Sequence, residues 1–244
     1  MKKLFKALLV FACAGTLCAG ALALSACGGS KDTGAYGLVH GAGYVGYATV
    51  TVDKEDKVTD ATLTEICFPT QVKDADGGYY SEVSYGKVTM KYDEEGKTYK
   101  VGEQTLKEYF KDEANCKAYV DAVKDGKVYV TVDGAKKNDV MTWSALCKDE
   151  NGYGGTKFDW KKNRDATVNY VKTYGVAELL KLEPEEWVTD KNGNPAPSGV
   201  WSDSNNVSTG ATWTDMNTRK DGSLSYAELM VKAFNKVAKT PVNA

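Results

Sequence analysis

Histidine is nearly absent: His40 is the one imidazole in 244 residues. A metal held by side chains needs a second histidine, a cysteine or a carboxylate close at hand, and His40 has no histidine or cysteine beside it, so it reads as a surface residue and no metal is expected. The six cysteines show no Cys-x-x-Cys spacing, which argues against metal and thiol-redox roles. There is no Gly-rich Walker loop, no GxSxG elbow and no HExxH. Positive charge is not in excess either, with 31 basic against 33 acidic residues, so the stripe of lysine and arginine that nucleic-acid binding requires is missing. After residue 27 no second apolar run is long enough to span a bilayer.

The N-terminus supplies what the rest lacks. Lys2, Lys3 and Lys6 precede an uncharged apolar run from Ala7 to Leu24, followed by Leu24-Ser25-Ala26-Cys27. A basic start, a short apolar core and small residues at its end read as a secretory signal; the alternative is a retained helix at the short limit for crossing a membrane. The Leu-Ser-Ala-Cys ending resembles a bacterial lipobox, and that resemblance implies cleavage that leaves Cys27 as a diacylglyceryl N-terminus. The expected organisation is a lipoprotein signal peptide over 1–26, a lipid-proximal spacer over 27–38 and one domain over 39–240. Without Lys2, Lys3 and Lys6, 28 basic residues face 33 acidic ones, a net charge of −5. Cys67, Cys116 and Cys147 remain in the body, an odd number, as one disulfide with one buried thiol or as three buried thiols.

Within the body the clearest pattern is a hairpin. Gly43 to Val52 and Val58 to Ile66 alternate β-branched or aromatic residues with polar ones on either side of the charged turn Asp53-Lys54-Glu55-Asp56-Lys57. A second hairpin is predicted from Lys87–Tyr92 and Lys97–Val101, a strand over Lys127–Val132 and a helical turn at Trp143–Cys147. Three- and four-residue apolar spacing predicts one or two helices over Thr105–Val123 and another over Asp165–Leu182, interrupted at Tyr174/Gly175. The last helix is signalled by Ser225-Tyr226-Ala227-Glu228, a capping box, with Leu229, Ala233, Phe234 and Val237 on one face.

Between these helices lies Asn206-Val207-Ser208-Thr209-Gly210-Ala211-Thr212. Gly210 and Ala211 leave the backbone open to a phosphate, Ser208 and Thr209 offer hydroxyl donors, and successive N–H groups in such a loop form an anion-binding concavity. The stretch resembles the attachment motif of the bacterial FMN-binding domain, found in flavin-carrying subunits of sodium-pumping and Rnf-type redox complexes and in lipid-anchored extracellular flavoproteins. In that family the motif runs Asp, two variable residues, Ser or Thr, then Gly-Ala-Thr, and a flavin transferase joins the FMN phosphate to the final threonine. The family also opens on a Gly-rich lead and a hairpin, as this chain does from Gly41. Two positions depart from it: Asn206 replaces the acidic residue, and Cys67-Phe68-Pro69-Thr70-Gln71 replaces a His/Glu-Thr-Pro-Gly type segment.

The resemblance implies an α+β fold of antiparallel hairpins packed with helices, enlarged by an insertion at about 71–185. It implies a lipid-anchored extracytoplasmic flavoprotein carrying FMN as a phosphoester on Thr212, with Tyr44 and Trp213 as stacking partners. Its partners would be a flavin transferase, a membrane quinone or dehydrogenase donor and an extracellular electron acceptor. Such a protein is an electron carrier or reductase rather than a hydrolase or transferase. A flavin-free surface lipoprotein that binds a ligand or glycan is the alternative, favoured by five tryptophans and 15 tyrosines, since sugar faces stack on aromatic rings. A third reading takes Asn217–Glu228 as an EF-hand loop, with Gly222 and Glu228 in place and Asp221 and Ser225 as ligands. Against it, Arg219 stands where an oxygen ligand is required.

Overall fold

The computed structural model describes residues 33–39, 42–153, 160–181, 187–189, 195–197 and 223–243. Cys27, His40, Trp213 and the motif residues Asn206, Ser208, Thr209, Gly210, Ala211 and Thr212 lie outside the described residues. The architecture is α+β, with two antiparallel sheets and, among the described residues, six α-helices.

The first sheet has three strands, β1 (Ala35–Val39), β2 (Tyr44–Val52) and β3 (Val58–Cys67), in sequential order. The β2–β3 hairpin is the one its alternation predicts. Asp53 nucleates the turn by accepting from the backbone N–H groups of Glu55 and Lys57 at 2.8 and 3.0 Å. Strand β1 is a correction, because its residues fall in the stretch whose Gly-rich composition reads as spacer up to residue 38. All five residues of β1 are buried. The glycine that suggests a flexible linker is a packing residue: Gly37 pairs with Gly46 across β1 and β2. A Cβ on Gly46 would stand 2.7 Å from Val39 Cγ1 and 2.8 Å from Leu229 Cδ2, so the bare backbone is what lets the last helix lie close to the sheet.

The second sheet has six strands: β4 (Glu82–Tyr85), β5 (Val88–Asp93), β6 (Thr98–Val101), β7 (Gln104–Thr105), β8 (Tyr129–Val132) and β9 (Ala135–Lys137), in the order β7-β6-β5-β4-β8-β9. Between β7 and β8 come α1 (Leu106–Tyr109) and α2 (Glu113–Lys124), the two halves of the predicted 105–123 helix. Thr105 and Asp112 cap their N-termini, and α2 stops at Gly126, whose φ is +64°. Then follow α3 (Trp143–Leu146), α4 (Trp160–Tyr174), α5 (Val176–Leu179), a small ribbon of β10 (Trp187–Thr189) with β11 (Pro195–Pro197), and α6 (Tyr226–Asn235). Helix α4 begins five residues before the predicted 165, and Gly175 at φ +90° separates it from α5 where the interruption was expected.

One buried cluster runs through both sheets. Helix α2 lies against β1 and β2, and its Tyr119 packs on Phe68, Phe110 and Tyr85 while its hydroxyl donates to the Cys67 carbonyl at 2.8 Å. Residues of 71–185 therefore share the apolar interior of β1–β3. Helix α6 covers the other face of the first sheet with Leu229, Met230, Ala233 and Phe234. Cys67, Cys116 and Cys147 are three buried free thiols. A lone bridge between Ile66 and Cys147 sets Cys147 beside Thr64, on the face of β3 opposite to Cys67, which prevents their pairing.

Candidate functional site

On β3, Leu63, Glu65 and Cys67 share one face by the two-residue period, and all three are buried. A carboxylate in that row is costly without partners. The segment after α3 provides one: the Lys148 backbone N–H donates to the Glu65 carbonyl at 3.0 Å, which extends the sheet by a single bridge and delivers the Lys148 side chain to the same face. Lys148 Nζ forms an ion pair with Glu65 Oε2, and the Tyr226 hydroxyl donates to Glu65 Oε1. Both charged side chains have 0% exposure. Tyr226 is the first residue of α6, so the helix that covers the sheet also closes this network.

Aromatic rings surround the ammonium. The ring centroids of Tyr44, Tyr153 and Trp160 lie 3.6, 3.9 and 5.0 Å from Lys148 Nζ. Tyr44 meets Tyr153 edge to face at 5.8 Å, and Trp160 meets Tyr226 in the same manner at 5.9 Å. Desolvated cation–π contacts of this kind are worth about 2 kcal/mol or more. Asp149 holds the box in place: its Oδ1 accepts from Trp160 Nε1 at 3.0 Å and from Arg164 Nη1 at 2.5 Å, and its Oδ2 from the Thr64 hydroxyl at 2.7 Å. Asn151 Nδ2 donates to Cys67 Sγ at 3.3 Å. Residues 147–151 are thus tied to the end of β3 and to the start of α4.

Burial, and then the hydrogen bond with Tyr153, pushes the Tyr44 hydroxyl well above its ordinary range. Burial also pushes the Cys67 thiol up to about 11, against the opposing pull of Asn151 and Lys148. Neither group ionises near neutral pH. The arrangement therefore holds one fixed positive charge and its counter-charge inside an aromatic enclosure, at the sheet end where β1 leaves and β2 begins.

That end is also where the chain returns from the motif segment. Leu224 N donates to the Leu38 carbonyl at 2.7 Å, and Leu224 bridges Val39. Thr212 stands eleven residues before Ser223, the first described residue after the motif. The start of α6 is occupied by its own residues: Ser225 Oγ accepts from the Glu228 N–H at 3.1 Å, and Glu228 Oε2 accepts from the Ser225 N–H at 2.7 Å. This capping box was expected, and it engages Ser225 and Glu228, two of the residues an EF-hand loop would need as ligands. No group of metal-binding side chains occurs among the described residues. Tyr44 is 9% exposed and serves as a wall of the lysine box rather than as an open stacking platform.

Glu65, Lys148, Tyr153, Trp160 and Tyr226 were not singled out from the sequence. Glu65 alone left a signal, a charge at the parity of Leu63 in an otherwise apolar row. Lys148 left none, since its partner is 83 positions away. Comparison with protein-family models, curated proteins and solved structures finds no match.

Proposed function

We propose that the chain is a lipid-anchored extracytoplasmic flavoprotein that carries FMN as a phosphoester on the Thr212 hydroxyl. It would pass electrons from a membrane quinone or dehydrogenase to an extracellular acceptor. One observation supports this beyond the motif: the segment bearing Thr212 returns to the fold at Leu224, at the sheet end that holds the buried Lys148 and its aromatic box. The bound flavin supplies the one- and two-electron chemistry. Lys148 is paired with Glu65 and enclosed by three rings, an arrangement that fixes the geometry of this sheet end. Asp149 and Arg164 keep the walls of that enclosure from moving. No side chain of the network is needed as acid or base.

The test is co-expression with a flavin transferase followed by intact-mass measurement of the denatured chain. A mass increment of one flavin phosphoester, absent in Thr212→Ala, is expected. An unmodified wild-type chain in the presence of an active transferase overturns the reading.

A second reading, a flavin-free lipoprotein that binds a ligand or glycan, draws on one feature. An open groove of about 510 Å³ runs between the 74–81 loop and β8–β9, lined by Asp74, Tyr79, Tyr80, Lys137 and Asp139. Glycan-array binding that is lost in Tyr79→Ala would favour it.

A further inference from the structure

The first sheet has a direction. The chain enters β1 at Thr33–Gly34 and leaves it at Val39, beside Leu224. Helix α6 starts at that exit end and runs back to the entry end, where Lys236 Nζ donates to the Gly34 carbonyl. The α6 helix has ten residues, which at 1.5 Å per residue separate its ends by about 15 Å.

Lysines gather along the β1 edge near the entry end. Glu113, the first residue of α2, accepts from Lys236 Nζ at 2.6 Å and from the Tyr36 N–H at 3.2 Å, and pairs with Lys232 at 3.3 Å. Lys117 and Lys236 flank the Tyr36 ring at 5.7 and 5.9 Å. Lys124 lies 3.7 Å from the centroid of Tyr47, which is itself 4.9 Å from Tyr36. Among the described residues, four ammonium groups, Lys117, Lys124, Lys232 and Lys236, thus share one edge with the carboxylates of Glu113 and Asp121, the latter paired with Lys117. The edge is locally positive on a chain whose mature body is net negative. Burial opposes ionisation of Glu113, yet Lys236 and Lys232 hold its carboxyl below the usual range, as an excess of cations should.

We propose that this α2–α6 edge is the membrane-facing surface of the mature protein, with Lys117, Lys124, Lys232 and Lys236 seated on the phosphates of anionic phospholipid. Two features select that partner. The spacer from Cys27 to Thr33 is six residues long and reaches at most about 20 Å, so the entry end cannot stand far from a bilayer in which Cys27 is anchored. The lysines nearest that end are of the sign attracted by anionic headgroups, and Lys117, Lys232 and Lys236 keep roughly two fifths of their side-chain surface in contact with water. The attraction acts within roughly one Debye length, about 8 Å at physiological salt.

The inference rests on the lipid-anchor reading, and the experiment separates the two. The mature chain beginning at Cys27 is coupled through that cysteine to a maleimide phospholipid in vesicles, the other three thiols being buried. Lysines are then labelled with an amine reagent and read by mass spectrometry. In vesicles rich in phosphatidylglycerol, labelling of Lys117, Lys124, Lys232 and Lys236 should fall by roughly threefold or more relative to phosphatidylcholine alone, and the difference should vanish at high salt. Lys91, Lys136 and Lys137 of the second sheet should label equally in both. Equal labelling of the four lysines in the two lipids, or protection of Lys136 and Lys137 instead, overturns the proposal. The variant Lys117→Gln/Lys124→Gln leaves the Glu113 cluster intact and should lose most of the protection of Lys232 and Lys236 while keeping its circular dichroism. Intact mass of the protein from cells reports separately on Cys27: an unlipidated Cys27 there removes the anchor reading, while the labelling ratio still reports on the edge.

Discussion

The two sheets solve the same burial problem differently. The first is covered on both faces, by α2 on one side and α6 on the other, and within that cover it keeps a carboxylate and an ammonium at 0% exposure. The second leaves much of its surface to water: β9 is exposed along its whole length, and β5 and β8 have one buried residue each. Its edge strand carries Lys136 and Lys137, which discourage pairing with another chain. Its aromatic residues meet in ordinary contacts, such as Tyr79 on Tyr92 at 4.4 Å and Tyr92 against Tyr99 at 5.3 Å. Interior charge occurs where two elements distant in sequence close over a strand. The difference teaches where this protein concentrates its buried charge: in the small three-stranded sheet, at the end where Glu65 and Lys148 are sealed from water.

Alkali challenges both sheets and should have the largest effect. Burial raises the Cys67 thiol to about 11 and the Cys116 thiol to about 12 from an ordinary 9.0, and it raises the hydroxyls of Tyr44, Tyr85 and Tyr119 as well. The native state favours the protonated forms, so this stabilisation is complete below pH 9 and is lost as the pH rises through 11 to 12. Cooperative unfolding in that window, followed by circular dichroism, is expected; a native spectrum at pH 12 would show that water reaches these groups.

Lys148→Met strikes the first sheet alone. It leaves the Glu65 carboxylate buried without its cation, and urea unfolding should show a loss of about 3–5 kcal/mol, most of it regained in Glu65→Gln/Lys148→Met. A loss under about 1 kcal/mol would mean that the pair is not sealed from solvent. Gly46→Ala should cost roughly 1–3 kcal/mol, because the new methyl meets Val39 and Leu229 inside contact distance; Leu229→Ala should recover part of it in the double variant. Ser225→Ala removes the cap of α6 at a cost of about 1 kcal/mol. Lys136→Ala, on the exposed edge of the second sheet, should stay within about 0.5 kcal/mol, and a larger change there would erase the contrast between the sheets.

Patterns that repeat over a few residues were readable from the chain. The β2–β3 hairpin, the break at Gly175 and the Ser225–Glu228 cap appear where alternation, glycine and capping residues put them, because each depends on neighbours within about four positions. Strand β1 was misread: Ala-Tyr-Gly-Leu-Val is short, and its glycine has the composition of a linker. Its role as a strand follows from pairing with β2 and from Leu224 and Leu229, which pack on Gly37 and Gly46.

By itself, then, the sequence determined the α+β class, the hairpins and the helix ends, since propensity and short-range pattern are properties of adjacent residues. Only the tertiary structure decided that Lys148 meets Glu65 and Tyr226, that Cys67 and Cys147 stay apart, and that four lysines share an edge near the chain's entry. Such contacts join residues up to 202 positions apart, and no local pattern encodes them, because the free energy that favours each one arises only after the intervening chain has folded and excluded water.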